Sequence, residues 1–258
     1  MIGFDRLGSV DVEHADAIVR ITLNRPPLNI LDAATLEALN RALDAANVPD
    51  VRVVVLRSSL ERGFSAGVDI RDHVPDTLNA MLEAVRENAG LLLTLDPLTI
   101  AAVHGITLGG GAEVALLCDV VVAASSTTIG LPEIGLGAFP PVAAACFPEL
   151  CGIRRTVDLI LGATIDATAA QQAGLISHVV APDAVDATVD ALARRLAGLS
   201  GVALRSAKRA WRAGRTEMAL DRLDAAMAIY VESVGRSADA AEGIAAFLEK
   251  REPAWRHH

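Results

Sequence analysis

The sequence predicts an α/β fold: a core of mostly buried parallel strands, followed by a lobe that is almost entirely helical. Three observations carry this reading. Short apolar strands alternate with amphipathic helical stretches up to about residue 153. Glycines follow several of those strands, as strand-to-helix crossovers require. Beyond residue 153 helical periodicity dominates.

In chain order, AIVRITL (17–23) alternates apolar and polar residues, as a half-buried strand does. A Pro-rich break at 24–28 follows, and Asp32 is expected to cap an amphipathic helix reaching about Asn47. VRVVVLR (51–57) reads as a buried strand, SSLERGFSAG as a loop and VDIRD as a short helical turn. Residues 77–95 place Leu78, Met81, Leu82, Val85 and Ala89 on one helical face. A third strand at 98–103 leads into the glycine-rich ITLGGG and the apolar helix AEVALLCD, and a fourth covers 119–123. After that, LISHVV (175–180) is the one strand expected among helices at 153–161, 167–173, 183–198, 201–213, 216–235 and 238–249. The simplest division is a core over residues 1–199 and a helical oligomerisation lobe over 200–258. Leu220, Leu223, Met227 and Tyr230 form an apolar stripe in that lobe, expected to pack against a neighbouring subunit because a small core would not cover it.

Composition narrows the function. With 52% hydrophobic residues but only 3% aromatics, the core must be built from Ala, Leu, Val and Ile. No apolar run reaches the roughly 20 residues of a spanning helix, so no membrane is expected. The opening MIGFDRLGSVDVEHAD lacks a basic or apolar targeting region, which points to the cytoplasm. A formal net charge of −9 repels a phosphate backbone, so no nucleic acid is expected as a partner. The basic cluster RSAKRAWRAGR (205–215) reads as a solvated helix face. Cys118, Cys146 and Cys151 match no metal or redox spacing and read as reduced, buried thiols.

Several motifs bear on chemistry. GFSAG (63–67) fits the nucleophile-elbow pattern, but Ser65 stands in a loop seven residues past Arg57 and no local pattern nominates an acid partner. His14, His73, His104 and His178 have no metal-ligand spacing and read as satisfied loop or core residues, so no metal site is expected. LGGGAEV is no dinucleotide fingerprint, because Val114 stands at the third glycine position. FSAGVDIR and GITLGGGAEV are more informative, since both loops place glycine beside a helix start. Two N–H groups converging there would form an oxyanion hole. Glu113 follows the triple glycine by a short turn, and Glu133 is pinned between Pro132 and Gly135. Each alone is ordinary: Glu113 as a first-turn residue favoured by the helix dipole, Glu133 as a surface loop residue. Carboxylates among apolar residues usually carry a task.

Taken together, the sequence resembles the crotonase, or enoyl-CoA hydratase/isomerase, superfamily. The resemblance runs nearly end to end, through ITLNRPPLNILD, VRVVVLRSSLERGFSAGVDIRD, AAVHGITLGGGAEVALLCDVVVAASSTTIGLPEIGLG, LGATIDATAAQQAGLISHVV and AFLEKREPAW. It implies a crotonase-like spiral core of ββα units and a homotrimer or dimer of trimers. It implies an enoyl-CoA hydratase-type lyase that adds water through an oxyanion-stabilised enolate, with Val68 and Gly110 supplying the oxyanion hole. Glu113 would activate the water and Glu133 would protonate the α-carbon. Coenzyme A, entering as part of the thioester substrate, would lie along Leu28, Ala66, Val68, Asp69, Ile70 and Arg71, with Phe247 and Lys250 reaching the nucleotide, often from the adjacent subunit. No separate cofactor is implied. Family isomerases generally keep only the second glutamate, so an isomerase using Glu133 alone is the alternative. A serine hydrolase on Ser65 and a non-enzymatic RNA-binding relative are more distant ones. One departure stands out. Where hydratases usually read PGAGGTQRL after the second glutamate, this chain reads FPPVAAACFPEL, with two prolines expected to stiffen a turn at the acyl pocket. That segment, with NRPPLNILD, is similar to the cyclic dienoyl-CoA hydratases of aromatic-ring degradation.

Overall fold

The computed structural model describes residues 2–257. Eleven strands form two sheets among these residues. The strands are β1 (Ile2–Leu7), β2 (Val10–Ala15), β3 (Ile18–Leu23), β4 (Val53–Ser58), β5 (Gly63–Ser65), β6 (Leu98–Val103), β7 (Ile106–Leu108), β8 (Val120–Ala124), β9 (Thr128–Gly130), β10 (Thr164–Asp166) and β11 (His178–Val180). The helices are α1 (Ala33–Ala45), α2 (Pro75–Thr94), α3 (Gly110–Leu116), α4 (Pro141–Cys151), α5 (Ile153–Ile160), α6 (Ala167–Gln172), α7 (Val185–Ala197), α8 (Gly201–Arg212), α9 (Arg215–Glu232) and α10 (Ala238–Glu249).

The large sheet runs β1-β2-β3-β4-β6-β8-β11, parallel from β3 onward, and the small one runs β10-β9-β7-β5. Each of the pairs β4/β5, β6/β7 and β8/β9 gives one strand to each sheet before the chain turns into α2, α3 or α4. This is the spiral of ββα units that the resemblance implied. The period-2 alternation of β4 shows how the core divides. Val54 and Leu56 join the main cluster with α1, α2 and α4, while Val53 and Val55 face the opposite cluster, closed by Val185, Val189 and Ala193 of α7. Asp32 caps α1 as expected, accepting from the Thr35 amide at 2.9 Å.

The structure adds one element and changes four expectations. The opening residues form a hairpin, β1–β2, joined through Gly8 and Ser9, that extends the large sheet antiparallel to β3. The stretch read as a loop around Ser65 contains β5, which pairs in parallel with β7. The prolines of FPPVAAACFPEL do not stiffen a turn. Pro141 opens α4 at its first position, where a missing N–H costs the helix nothing. The stripe in α9 needs no neighbour: Leu223, Met227 and Tyr230 are buried in the main core of their own chain, against α4 and α2. The basic cluster is a solvated face only in part, with Arg209 and Arg215 exposed. Lys208 is buried on Asp119 at 2.7 Å, and Arg212 meets the same carboxylate at 2.8 Å, so α8 is clamped to the core.

Candidate active site

The β5–α2 connection carries the first half of the site. Asn29, at the end of the Pro-rich break, donates through its side chain to the Phe64 carbonyl at 2.9 Å and to the Ser58 hydroxyl at 2.8 Å. The Leu28 carbonyl accepts from the Ala66 amide at 3.0 Å. A short parallel bridge then pairs Leu31 with Val68: the Leu31 amide donates to Gly67 and the Asp69 amide donates to Leu31. In extended chain successive N–H groups alternate sides. With Asp69 facing Leu31, the Val68 N–H faces the other way, toward Gly110. A Cβ placed on Gly110 would lie 3.5 Å from the Val68 nitrogen.

Gly110 opens α3, whose first turn leaves its own N–H groups unpaired. The Val68 and Gly110 amides therefore border one small space at the edge of the pocket they both line. The triple glycine is needed because three neighbours crowd it. A Cβ on Gly109 (φ +52°) would stand 2.6 Å from the Glu133 carboxylate, one on Gly110 2.6 Å from the Val68 side chain, and one on Gly111 2.5 Å from Ser65.

Asp69 and Arg71 form a closed pair. The Asp69 carboxylate caps the helical turn Ile70–His73 and accepts from the Arg71 amide at 3.0 Å and from its guanidinium at 2.6 Å. Those hydrogen bonds from Arg71 hold the Asp69 carboxyl below its usual range. The Arg71 side chain remains largely exposed, where a cation can meet phosphate.

The two glutamates line one pocket with Ala66, Val68, Gly110 and Ile70. Glu113 is only 4% exposed, and its carboxylate accepts from the Ala143 amide at 2.7 Å. That amide belongs to the first turn of α4, so the departure from PGAGGTQRL supplies a helix N-terminus that holds Glu113. Glu133 sits in the helical turn Pro132–Leu136, half-buried rather than on an open loop. Its Oε2 is buried with no hydrogen-bond partner among the described residues. Burial raises the pKa of both carboxyls, and the neighbouring Glu133 charge raises that of Glu113 further. Such a pair resists losing both protons together and keeps one near neutral pH. An acid, a base and two convergent amides can polarise a thioester carbonyl and move protons at the carbons beside it.

Ser65 has another task. It is 1% exposed, donates to the Asn29 carbonyl at 2.7 Å and accepts from the Gly67 amide at 3.1 Å. No histidine or carboxylate touches it among the described residues, so the hydroxyl pins the loop in place. His178, the histidine available to an elbow serine, is exposed on β11.

Phe247 and Lys250 are not brought to this pocket. Phe247 is 58% exposed and Lys250 ends α10 in solvent. Sequence reasoning missed His73, Phe139 and Tyr230, all of which line the pocket. His73 was read as a bland histidine and Tyr230 as part of an interface stripe. Only the neighbourhood of His73 to the AGVD loop could have signalled it.

The family model for enoyl-CoA hydratase/isomerase matches residues 13–258. Cyclohexa-1,5-dienecarbonyl-CoA hydratase of Thauera aromatica is 35% identical over 246 residues, covering 95% of either chain. 2,3-Dehydroadipyl-CoA hydratase of Escherichia coli is 37% identical over 247 residues, 94% of this chain and 96% of its own. Among solved structures, an enoyl-CoA hydratase/isomerase from Xanthobacter autotrophicus superposes with a TM-score of 0.86 at 27% identity, over 95% of this chain and 94% of that one. With a spiral of ββα units, a family model matching residues 13–258 and relatives of this identity along nearly the whole chain, the protein belongs to the enoyl-CoA hydratase/isomerase family.

Proposed function

We propose that this protein is an enoyl-CoA hydratase whose acid–base pair is Glu113 and Glu133. The observation that carries the reading is that the Glu113 side chain and the Glu133 Oε2 are buried in the pocket that Val68 and Gly110 also line. The thioester carbonyl accepts hydrogen bonds from the Val68 and Gly110 amides. Glu113 removes a proton from water as its oxygen bonds to the β-carbon. The π electrons move toward the carbonyl, and the enolate oxygen is held by the same two N–H groups. Glu133 then delivers a proton to the α-carbon, so one water is added and no redox step occurs. Removing one good oxyanion donor costs about 3–4 kcal/mol in comparable sites, which makes the amide pair a leading contribution to the rate.

Coenzyme A would run along Leu28, Ala66, Asp69, Ile70 and Arg71, the edge that carries an exposed cation. Phe247 and Lys250 would serve a neighbouring copy in a trimer or dimer of trimers. The exposure of Val202, Trp211, Ile229, Phe247 and Leu248 supports such assembly. Sedimentation showing a monomer at micromolar concentration would remove the shared site.

The deciding experiment offers linear and cyclic enoyl-CoA thioesters and measures the mass of the product. Addition of one water to any of them supports the hydratase reading. Double-bond migration with no added water, undiminished in Glu113→Gln, establishes an isomerase using Glu133 alone. The likeness to a cyclic dienoyl-CoA hydratase makes the ring thioesters the first to try.

A further inference from the structure

The chain has a single tyrosine, and it is buried beside the two glutamates. Tyr230 is 2% exposed, with its ring against Phe139 at a centroid distance of 5.1 Å. No described residue pairs with its hydroxyl, which is not among the fully buried unpaired atoms and so opens onto the cavity. A phenol facing a cavity takes its partner from what fills that cavity. Burial and the charges of Glu133 and Glu113 push its pKa up, so it stays a neutral donor.

Its position says which partner. The cavity around the glutamates is about 70 Å³, room for about five waters. A larger chamber of about 550 Å³, mostly apolar, lies beside it under α10. Ile70, His73, Leu136 and Tyr230 line both, so they form the wall between the two. Tyr230 forms no hydrogen bond with either glutamate and lines the larger chamber as well, so its hydroxyl can meet a part of the acyl unit beyond the reacting carbons.

His73 adds the complementary function. Its ring centroid is 6.4 Å from that of Tyr230. Its Nδ1 lies 3.1 Å from the Asp69 carbonyl, which can only accept, so Nδ1 carries the proton. Burial lowers its pKa and keeps the ring neutral, leaving Nε2 an acceptor. The wall thus holds one donor and one acceptor among apolar residues.

The geometry points to Tyr230, with His73 beside it, as the residue that selects acyl groups bearing an oxygen substituent, a hydroxyl or a ketone, beyond the β-carbon. This inference rests on the acyl-CoA reading of the same pocket. An all-carbon acyl group leaves the phenol unpaired, and a site built for a hydrogen bond discriminates strongly against the analogue that lacks it.

The test uses matched pairs of acyl-CoA thioesters that differ only by a hydroxyl or ketone against a methylene at that position. Calorimetry measures binding of the saturated members to the full-length protein, and mass spectrometry measures turnover of the unsaturated ones. The wild-type protein is expected to bind the oxygenated member at least about tenfold more tightly. Tyr230→Phe removes the hydroxyl and keeps the ring on Phe139, and it is expected to erase most of that preference. Absence of preference in every pair overturns the inference. Equal weakening of both members by Tyr230→Phe also overturns it, since that is the mark of a packing or water-holding role. Turnover reports separately: a binding preference without hydration of any thioester removes the hydratase reading and leaves Tyr230 a recognition residue.

Discussion

One edge of the pocket, the proposed oxyanion site, is made of backbone, with Val68 in a β-bridge and Gly110 at a helix start. The rest of the lining is a wall of side chains, with Met81, Leu82 and Val85 from α2, Phe139 ahead of α4 and Tyr230 from α9. At the first edge the side chains matter by being small or absent, and glycine is dictated by crowding. At the second, the side chains themselves shape the space, and Met81, Leu82, Val85 and Tyr230 belong to the core as well. The glutamates stand between these regimes, since Glu113 is a side chain held by the backbone of α4. On the proposed reading, the edge would set the reaction and the wall the substrate.

That contrast can be broken most severely at the carboxylates. Glu113→Gln and Glu133→Gln are each expected to lower hydration turnover by about 10²–10⁴-fold, with much smaller changes in acyl-CoA binding, read from the loss of enoyl absorbance and from calorimetry. Full activity in either variant would take that residue out of the chemistry.

A backbone-made edge should be as sensitive to a methyl group as the pair is to an amide. Gly110→Ala places a Cβ 2.6 Å from the Val68 side chain, so that something at this edge has to shift. A fall in kcat of about 10²–10³-fold is expected. A variant that keeps normal kcat would show that the edge does not hold the carbonyl.

Ser65→Ala separates scaffolding from chemistry. It strands the Asn29 carbonyl and the Gly67 amide, so a stability loss of about 1–3 kcal/mol is expected in urea titrations, with less than about tenfold loss of activity. A fluorophosphonate probe should leave the protein unlabelled, and stoichiometric labelling at Ser65 would reinstate the hydrolase.

The smallest effect is on stability against pH. Burial, with the Glu133 charge beside it, raises the Glu113 pKa from its ordinary 4.5 to about 8, so the folded protein holds a proton that the unfolded chain releases. Stability contributed by that proton is present below pH 4.5 and is lost as pH rises through the folded pKa. Glu113→Gln should therefore gain on the wild type as pH rises across that window, with Tm rising about 2–4 °C for each kcal/mol relieved. A gap independent of pH would mean that the carboxyl is ordinary.

How much of this was legible follows the same division. Val68, Gly110, Glu113 and Glu133 carry motif signatures because backbone geometry constrains their neighbours, and the structure brings all four to one pocket. The large-sheet strands from β3 to β8 were legible by alternation and apolar runs. β5, β7, β9 and β10 were not, because three residues are too few to show a period of two. A proline pair reads equally as a stiff turn or as a helix start, and only the Glu113 carboxylate at the α4 terminus reveals which. Tyr230 and Lys208 lie on helical stripes whose spacing says that a face is covered but not by what. Phe247 and Lys250 were named from the resemblance, and a single chain leaves them in solvent.

The cis-packing of α9 ties the pocket to the breathing of the fold. Tyr230 is at once pocket wall and core, so the fluctuation that lifts α9 from α4 also dismantles the wall. A ligand seated there has to leave before the helix can open. Occupancy and helix opening become a single equilibrium, and amide exchange along α9 turns into a gauge of acyl binding. At a ligand concentration 100 times Kd, opening costs about 2.7 kcal/mol more and exchange slows about a hundredfold. The β1–β2 hairpin at the far edge of the sheet exchanges as before.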